Sequence, residues 1–114
     1  MPYKFRDDWD IVTRINYIQR RIIVASIAYY EFDESLVADH VYDDIVQQLK
    51  KLMDNCLESE REQSEYWYVF KDWDGSTGYF LYYNLNESDR EKLTGYTRLI
   101  ISDSNTRKEN ENDR

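Results

Sequence analysis

Two stretches of the sequence repeat apolar residues at helical spacing, and they limit the fold more than any other feature. In residues 10–29 and again in residues 41–56, apolar side chains recur at steps of three and four, the spacing of one helical face. The first set comprises Ile11, Ile15, Ile18, Ile22, Ala25 and Tyr29. The second comprises Val41, Ile45, Leu49, Leu52, Met53 and Cys56. Because a short polar segment separates the two runs, the sequence predicts an antiparallel helical hairpin over residues 8–56.

The second half of the chain mixes aromatic segments with turn residues. Two aromatic segments flank the sequence DGSTG at residues 74–78. Aromatic and β-branched residues around such a turn predict a small β-hairpin, or an extended aromatic segment, over residues 66–83. Ser88 and Glu91 have the spacing of a capping box, which predicts a helix over residues 88–101.

No apolar residue follows position 101. A segment that cannot bury apolar surface does not fold alone, so we expect a disordered polar tail at 102–114. The predicted organisation is therefore a single domain at residues 1–101. Its expected fold class is mainly α, with a small β element that makes it α+β.

Charge limits the classes of partner. Asp and Glu total 23 against 15 Lys and Arg, which gives a formal net charge of −8. Direct binding to nucleic acid is not expected, because most of that affinity comes from cations that meet phosphates. A chain this acidic is instead suited to imitate nucleic acid toward a basic protein.

Cysteine and hydropathy indicate the compartment. A single cysteine, Cys56, excludes an internal disulfide and favours a reducing cytoplasm. Residues 1–10 contain no apolar signal core, and no apolar run is long enough to span a bilayer. His40 is the single histidine, and no Cys/His spacing predicts a metal site. We therefore expect a cytoplasmic protein without metal or membrane association.

The segment YYEFDESLVADHVYDD, residues 29–44, carries the most specific pattern. Its tyrosines and aspartates fit Y-Y-x-x-D-x-x-x-x-x-D-x-x-Y-D. This pattern resembles the N-terminal helical-hairpin domain, domain Ia, of bacterial NAD-dependent DNA ligases, as found in small stand-alone phage proteins. The resemblance covers about residues 10–55.

In that family the hairpin closes over the nicotinamide mononucleotide half of NAD. The resemblance implies ring stacking by Tyr29 and Tyr42, and polar contacts from Asp39 and Asp43. Tyr30 occupies the position of a histidine that meets the phosphate, and its hydroxyl donates hydrogen bonds but carries no positive charge. The spacing agrees with this, since Asp39, Tyr42 and Asp43 lie on one helical patch where aromatic and negative groups suit a pyridinium ring.

A structural interpretation of the same residues stays open. Asp39 is suited to be the N-cap of the second helix, and Asp43 to interact favourably with the helix dipole. Tyr29 and Tyr42 then form an aromatic contact between the helices.

Catalysis is not expected. The ligase transferase requires a lysine in a K-x-D-G motif, whereas Lys71 to Gly75 read K-x-x-D-G. In an extended segment, residues three apart do not share a face, so Lys71 is expected at the surface. No nucleophile and base can be paired by spacing, and therefore no catalytic residue and no cofactor is predicted.

Two functions are compatible with these observations. The first is a non-enzymatic, phage-type binding module that takes a nicotinamide nucleotide, NMN or NAD, as its ligand. The second is an acidic phage-encoded inhibitor or adaptor that binds a host protein. The carboxylates that would form its binding surface are those of Asp33, Glu34, Asp39, Asp43, Asp44 and the acidic residues of 57–65.

Overall fold

The computed structural model describes residues 4–73, 75 and 79–112, with side chains for 4–73, 75 and 81–103. These residues form five α-helices and one 3-10 helix, and they contain no β-strand. The α-helices are α1 (Ile11–Phe32), α2 (Asp39–Asn55), α3 (Glu58–Glu62), α4 (Trp67–Phe70) and α5 (Glu87–Asn112), and the 3-10 helix covers Tyr79–Asn84. The prediction of a mainly α-helical chain is confirmed.

Helix α1 lies at the centre of the molecule and contacts α2, α5 and the 3-10 helix. Its isoleucines at 15, 18, 22, 23 and 27 are fully buried, which agrees with an apolar surface wide enough for several neighbours. Asp10 caps its start, since Asp10 Oδ1 accepts a hydrogen bond from Thr13 N at 2.8 Å. Asp33 ends it in the left-handed region at φ 52°, a conformation that aspartate tolerates better than most residues.

Helix α2 packs its apolar face on α1 and completes the predicted helical hairpin. Tyr42, Ile45, Val46, Leu49 and Met53 are its buried residues. The N-cap position belongs to Ala38, which makes no side-chain cap hydrogen bond. Asp39 is therefore the first residue of the helix and not its cap, and its carboxylate lies where the helix dipole favours negative charge.

The predicted β-hairpin over residues 66–83 is wrong for the residues that the structure describes. Trp67–Phe70 forms an α-helix and Tyr79–Asn84 a 3-10 helix. Its predicted turn falls on Asp74 and residues 76–78, which lie outside the described residues. The buried side chains show the reason, because Tyr66, Val69 and Phe70 recur at steps of three and four. Burial at helical spacing overrides the β-propensity of aromatic residues.

Helix α5 begins before the predicted Ser88 and has a different cap. Asn86 Oδ1 accepts a hydrogen bond from Asp89 N at 2.7 Å, so Asn86 takes the capping role that the sequence assigned to Ser88. The helix runs through Asn112, beyond the predicted end at 101 and into the segment expected to be a disordered tail. Among the helices of the described residues, none combines the length and apolarity needed to cross a membrane.

Candidate functional site: a tyrosine and arginine cleft

A cleft of about 280 Å³ opens between α1, α2 and α5, beside the connection at residues 33–38. Its described lining residues include no aspartate or glutamate. They combine aliphatic side chains with three tyrosines and two arginines. These are Tyr17, Tyr42, Tyr96, Arg20 and Arg21. The cleft therefore offers aromatic faces and positive charge in a chain whose formal net charge is −8.

Each helix supplies its part of the cleft from one face. On α1, Tyr17, Arg21 and Ala25 are four residues apart, which places them on adjacent turns. Tyr42 stands near the start of α2 and is only 3% exposed, so its ring forms part of the core as well as the wall. Tyr96 on α5 is 48% exposed and stands at the rim.

Both arginines are oriented by neighbouring side chains. The Arg20 guanidinium lies 3.4 Å from the Glu65 carboxylate. Partial burial lowers the pKa of Arg20, but contacts with Tyr66 and Glu65 outweigh it and leave that pKa raised. Arg21 lies over the Tyr17 ring, 5.9 Å from its centroid. The cleft therefore holds two guanidinium groups, one paired with a carboxylate and one lying over an aromatic ring.

Of the five residues that the sequence assigned to a ligand site, Tyr42 alone lines this cleft. Tyr29 and Tyr30 are 52% and 43% exposed near the end of α1. Asp39 and Asp43 are exposed on α2. Tyr42 therefore lines this cleft while the other four do not.

Tyr30 belongs to a second aromatic group, the tyrosine cluster, made of Tyr29, Tyr30, Tyr82 and Tyr83. The Tyr30 and Tyr82 rings stack with their centroids 5.9 Å apart and an interplanar angle of 22°. Tyr82 donates its hydroxyl hydrogen to Glu31, and the Arg90 guanidinium lies 5.2 Å from the Tyr82 centroid. Because Tyr30 already stacks on a protein ring, a flat ligand would have to compete with Tyr82 for that face.

Sequence reasoning missed Tyr17, Arg20, Arg21 and Tyr96. One signal was available, because Arg20 and Arg21 interrupt the longest apolar helical run of the chain, where a charge has to reach a polar environment or a ligand. Tyr96 gave no such signal. Its place at the cleft depends on how α5 packs against α1.

The described part of the chain holds no candidate metal site. No three His, Cys, Asp or Glu side chains in that part of the chain converge as metal ligands would. Lys71 is exposed, as the sequence predicted, and His40 is exposed on α2. What the cleft offers is aromatic rings and charged guanidinium groups.

A scan of protein-family models, a search of curated proteins and a search of solved structures find no match to this chain. The resemblance to ligase domain Ia therefore depends on the residues of the 29–44 segment.

Proposed function

We propose that the chain is a non-enzymatic, phage-type binding module similar to DNA ligase domain Ia, and that it binds a nicotinamide nucleotide in the cleft between α1, α2 and α5. The proposal depends on one observation, that three tyrosines and two arginines line this cleft. We propose the cytoplasm, of the host cell for a phage protein, as the place where it acts.

The tyrosines suit the nicotinamide ring. A pyridinium ring is flat and cationic, and aromatic faces attract it by both dispersion and cation–π interaction. Tyr17 and Tyr42 line the cleft from two different helices, among aliphatic side chains. Tyr42 is also the residue that the domain Ia resemblance assigns to ring stacking.

The arginines suit the phosphate. In the resemblance, a histidine meets the phosphate at the position of Tyr30, which brings no positive charge. Arg20 and Arg21 supply that charge from α1, and a guanidinium binds phosphate oxygens through paired, charge-assisted hydrogen bonds. The phosphate contact that we propose therefore lies in the middle of α1, whereas the resemblance puts it at the end of that helix.

The volume favours a mononucleotide. Small-molecule sites commonly measure about 300–1,000 Å³, and this cleft, at about 280 Å³, lies at the lower limit. We therefore expect the nicotinamide mononucleotide half of NAD to enter and the adenosine half to remain outside. NMN should then bind about as tightly as NAD.

Titration calorimetry with NMN and NAD tests the proposal. We expect saturable binding of both ligands to the unaltered protein and its loss in Tyr42→Ala. Since Tyr42→Ala removes a buried ring, Tyr96→Ala is the second variant, because that ring is 48% exposed and its loss leaves the core intact. Absence of heat with either ligand, or full binding by a folded Tyr42→Ala protein, would contradict the proposal.

A second function, an acidic adaptor for a host protein, is favoured by a different surface. Asp33, Glu34, Asp39 and Asp43 are all exposed around the 33–38 connection at one end of the hairpin. We propose that, in this function, these carboxylates meet a basic surface of the partner. Such binding weakens steeply as salt rises and tolerates Tyr42→Phe, whereas nucleotide binding in the cleft depends less on salt.

A further inference from the structure

We propose that a second, smaller cleft binds a single phosphate-type oxyanion. This cleft, of about 80 Å³, lies between the last turns of α2, helix α3 and helix α4. Three cationic side chains line it together with one carboxylate and a wall of aromatic rings. The charged residues are Lys50, Arg61, Lys71 and Asp54, and the rings are those of Trp67, Phe70 and Trp73.

The charge at this cleft is opposite to that of the chain. Lys50 Nζ donates to Asp54 Oδ1 at 3.0 Å, so one cation is already paired with the one carboxylate. Among the described residues, no carboxylate makes an ion pair with Arg61 or Lys71. Two cations close together repel each other unless an anion lies between them. The geometry therefore favours a negatively charged ligand.

Arg61 has a further property that calls for a partner. Its Nε is buried and makes no hydrogen bond in the structure. Buried nitrogens of this kind are rare, and a bound ion or water commonly accounts for them. A small movement of the guanidinium toward an oxyanion in the cleft would satisfy it through charge-assisted hydrogen bonds.

The balance of charges distinguishes this cleft from another groove of the molecule that also contains arginines. Arg90 Nε is also buried without a hydrogen bond, and Arg90 lines a groove that includes Arg98. That groove, however, has two carboxylates, Glu31 and Glu91, to balance its two arginines. The cleft beside α4 has three cations for one carboxylate, and this difference is why we assign the anion to it.

Gly75 lies against the Lys50 side chain at the edge of this cleft. A Cβ at residue 75 would lie 2.7 Å from Lys50 Cδ and 2.9 Å from Lys50 Cε. The residue also has φ +92°, a backbone conformation that residues with a side chain rarely adopt. Glycine at this position therefore suits both the positive φ and the close approach of the backbone to the lysine.

The size of the cleft defines the class of ligand. A volume of about 80 Å³ takes one tetrahedral oxyanion, and the rest of a larger phosphate ester would remain in solvent. The cleft shares no lining residue with the tyrosine and arginine cleft, so this inference does not depend on nicotinamide nucleotide binding.

The indole N–H signals of the tryptophans provide the test. Inorganic phosphate is titrated into the ¹⁵N-labelled protein, with sodium chloride adjusted to hold ionic strength constant. We expect the signals of Trp67 and Trp73 to shift saturably while that of Trp9 does not. Trp9 packs 5.5 Å from Tyr17, centroid to centroid, so a shift of Trp9 would instead report phosphate at the first cleft.

Matched variants make the test specific. Lys71→Gln and Arg61→Gln should each weaken phosphate binding about tenfold, the loss expected for one charge-assisted hydrogen bond. Lys71 is exposed, so its replacement leaves the fold intact. Lys51→Gln removes the same charge from an exposed position outside the cleft and should leave the affinity unchanged.

Two results would overturn the proposal: an absence of saturable shifts at Trp67 and Trp73, or equal weakening by Lys51→Gln and Lys71→Gln. A parallel titration with ribose 5-phosphate distinguishes the source of the ligand. Binding of phosphate alone indicates a free oxyanion, and equal or tighter binding of the ester indicates the phosphate group of a larger molecule.

Discussion

Gln19 Nε2 donates a hydrogen bond to Ser64 Oγ over 3.2 Å, which joins the middle of α1 to the segment that leads into α4. Gln19 Oε1 in turn accepts from Tyr66 N at 3.3 Å, and Ser64 Oγ donates to the Arg61 carbonyl at 2.6 Å. Gln19 is fully buried, so this polar side chain is tolerated in the core because its amide is satisfied at both ends. The link holds α4, and with it one wall of the smaller cleft beside α4, against the central helix.

Replacing Gln19 by leucine should destabilise the protein by about 1–3 kcal/mol, because the Tyr66 N–H then remains buried without an acceptor. Urea unfolding followed by circular dichroism measures the change in free energy. Ser64→Ala removes the second partner but keeps the acceptor for Tyr66, so it should cost less than Gln19→Leu. A Gln19→Leu protein as stable as the unaltered one would show that the network contributes no net stability.

Arg21→Gln should weaken NMN binding about tenfold, because it removes a charge-assisted contact with the phosphate. Nicotinamide riboside has the same ring and sugar but no phosphate, so its affinity should be unaffected by the substitution. Calorimetry with the two ligands separates the phosphate contact from ring stacking. Lys92→Gln, an equal loss of charge at an exposed position on α5, is the control. Equal losses for both ligands would contradict a phosphate role for Arg21.

Tyr29→Ala distinguishes the cleft from the site that the domain Ia resemblance implies. Tyr29 is 52% exposed and does not line the cleft, so its removal should leave the NMN affinity unchanged. The resemblance by itself predicts the opposite, since it assigns ring stacking to Tyr29. A large loss of NMN affinity in Tyr29→Ala would indicate that the nucleotide binds at the tyrosine cluster and not in the cleft.

The helical hairpin could be predicted because its information is local. Ile15, Ile18 and Ile22 recur at steps of three and four. This spacing identifies a buried helical face whichever helix packs against it. Tyr42 is not part of the apolar pattern that predicts α2. The resemblance selected it, and packing places it in a cleft.

The remaining members of the cleft depend on long-range packing that no local pattern encodes. Tyr96 reaches the cleft because α5 lies across α1, and its exposed position resembles that of any surface tyrosine on a helix. The tyrosine cluster depends on the same kind of packing. Tyr30 stands at the phosphate position of the resemblance, and the 3-10 helix brings Tyr82 onto the face of its ring.

A final relationship connects α4 to α5 and makes stability depend on pH. Tyr68 donates its hydroxyl hydrogen to the Asp89 carboxylate. Burial is the larger cause and this hydrogen bond the next, and together they raise the pKa of Tyr68 from 10.0 to about 12. The folded state therefore holds the proton more tightly than the unfolded chain. Its stabilising contribution is complete below pH 10 and is lost as the pH rises toward 12.

We accordingly expect the free energy of unfolding to fall between pH 10 and 12, and part of this fall to disappear in Tyr68→Phe. At neutral pH the same substitution should cost about 1 kcal/mol, the net value of one hydrogen bond. Urea unfolding at a series of pH values measures both effects. Tyr83→Phe is the control, because it removes the same hydroxyl group from a side chain that is 63% exposed. If Tyr68→Phe follows the same pH curve as the unaltered protein, the contact with Asp89 does not contribute to the alkaline loss of stability.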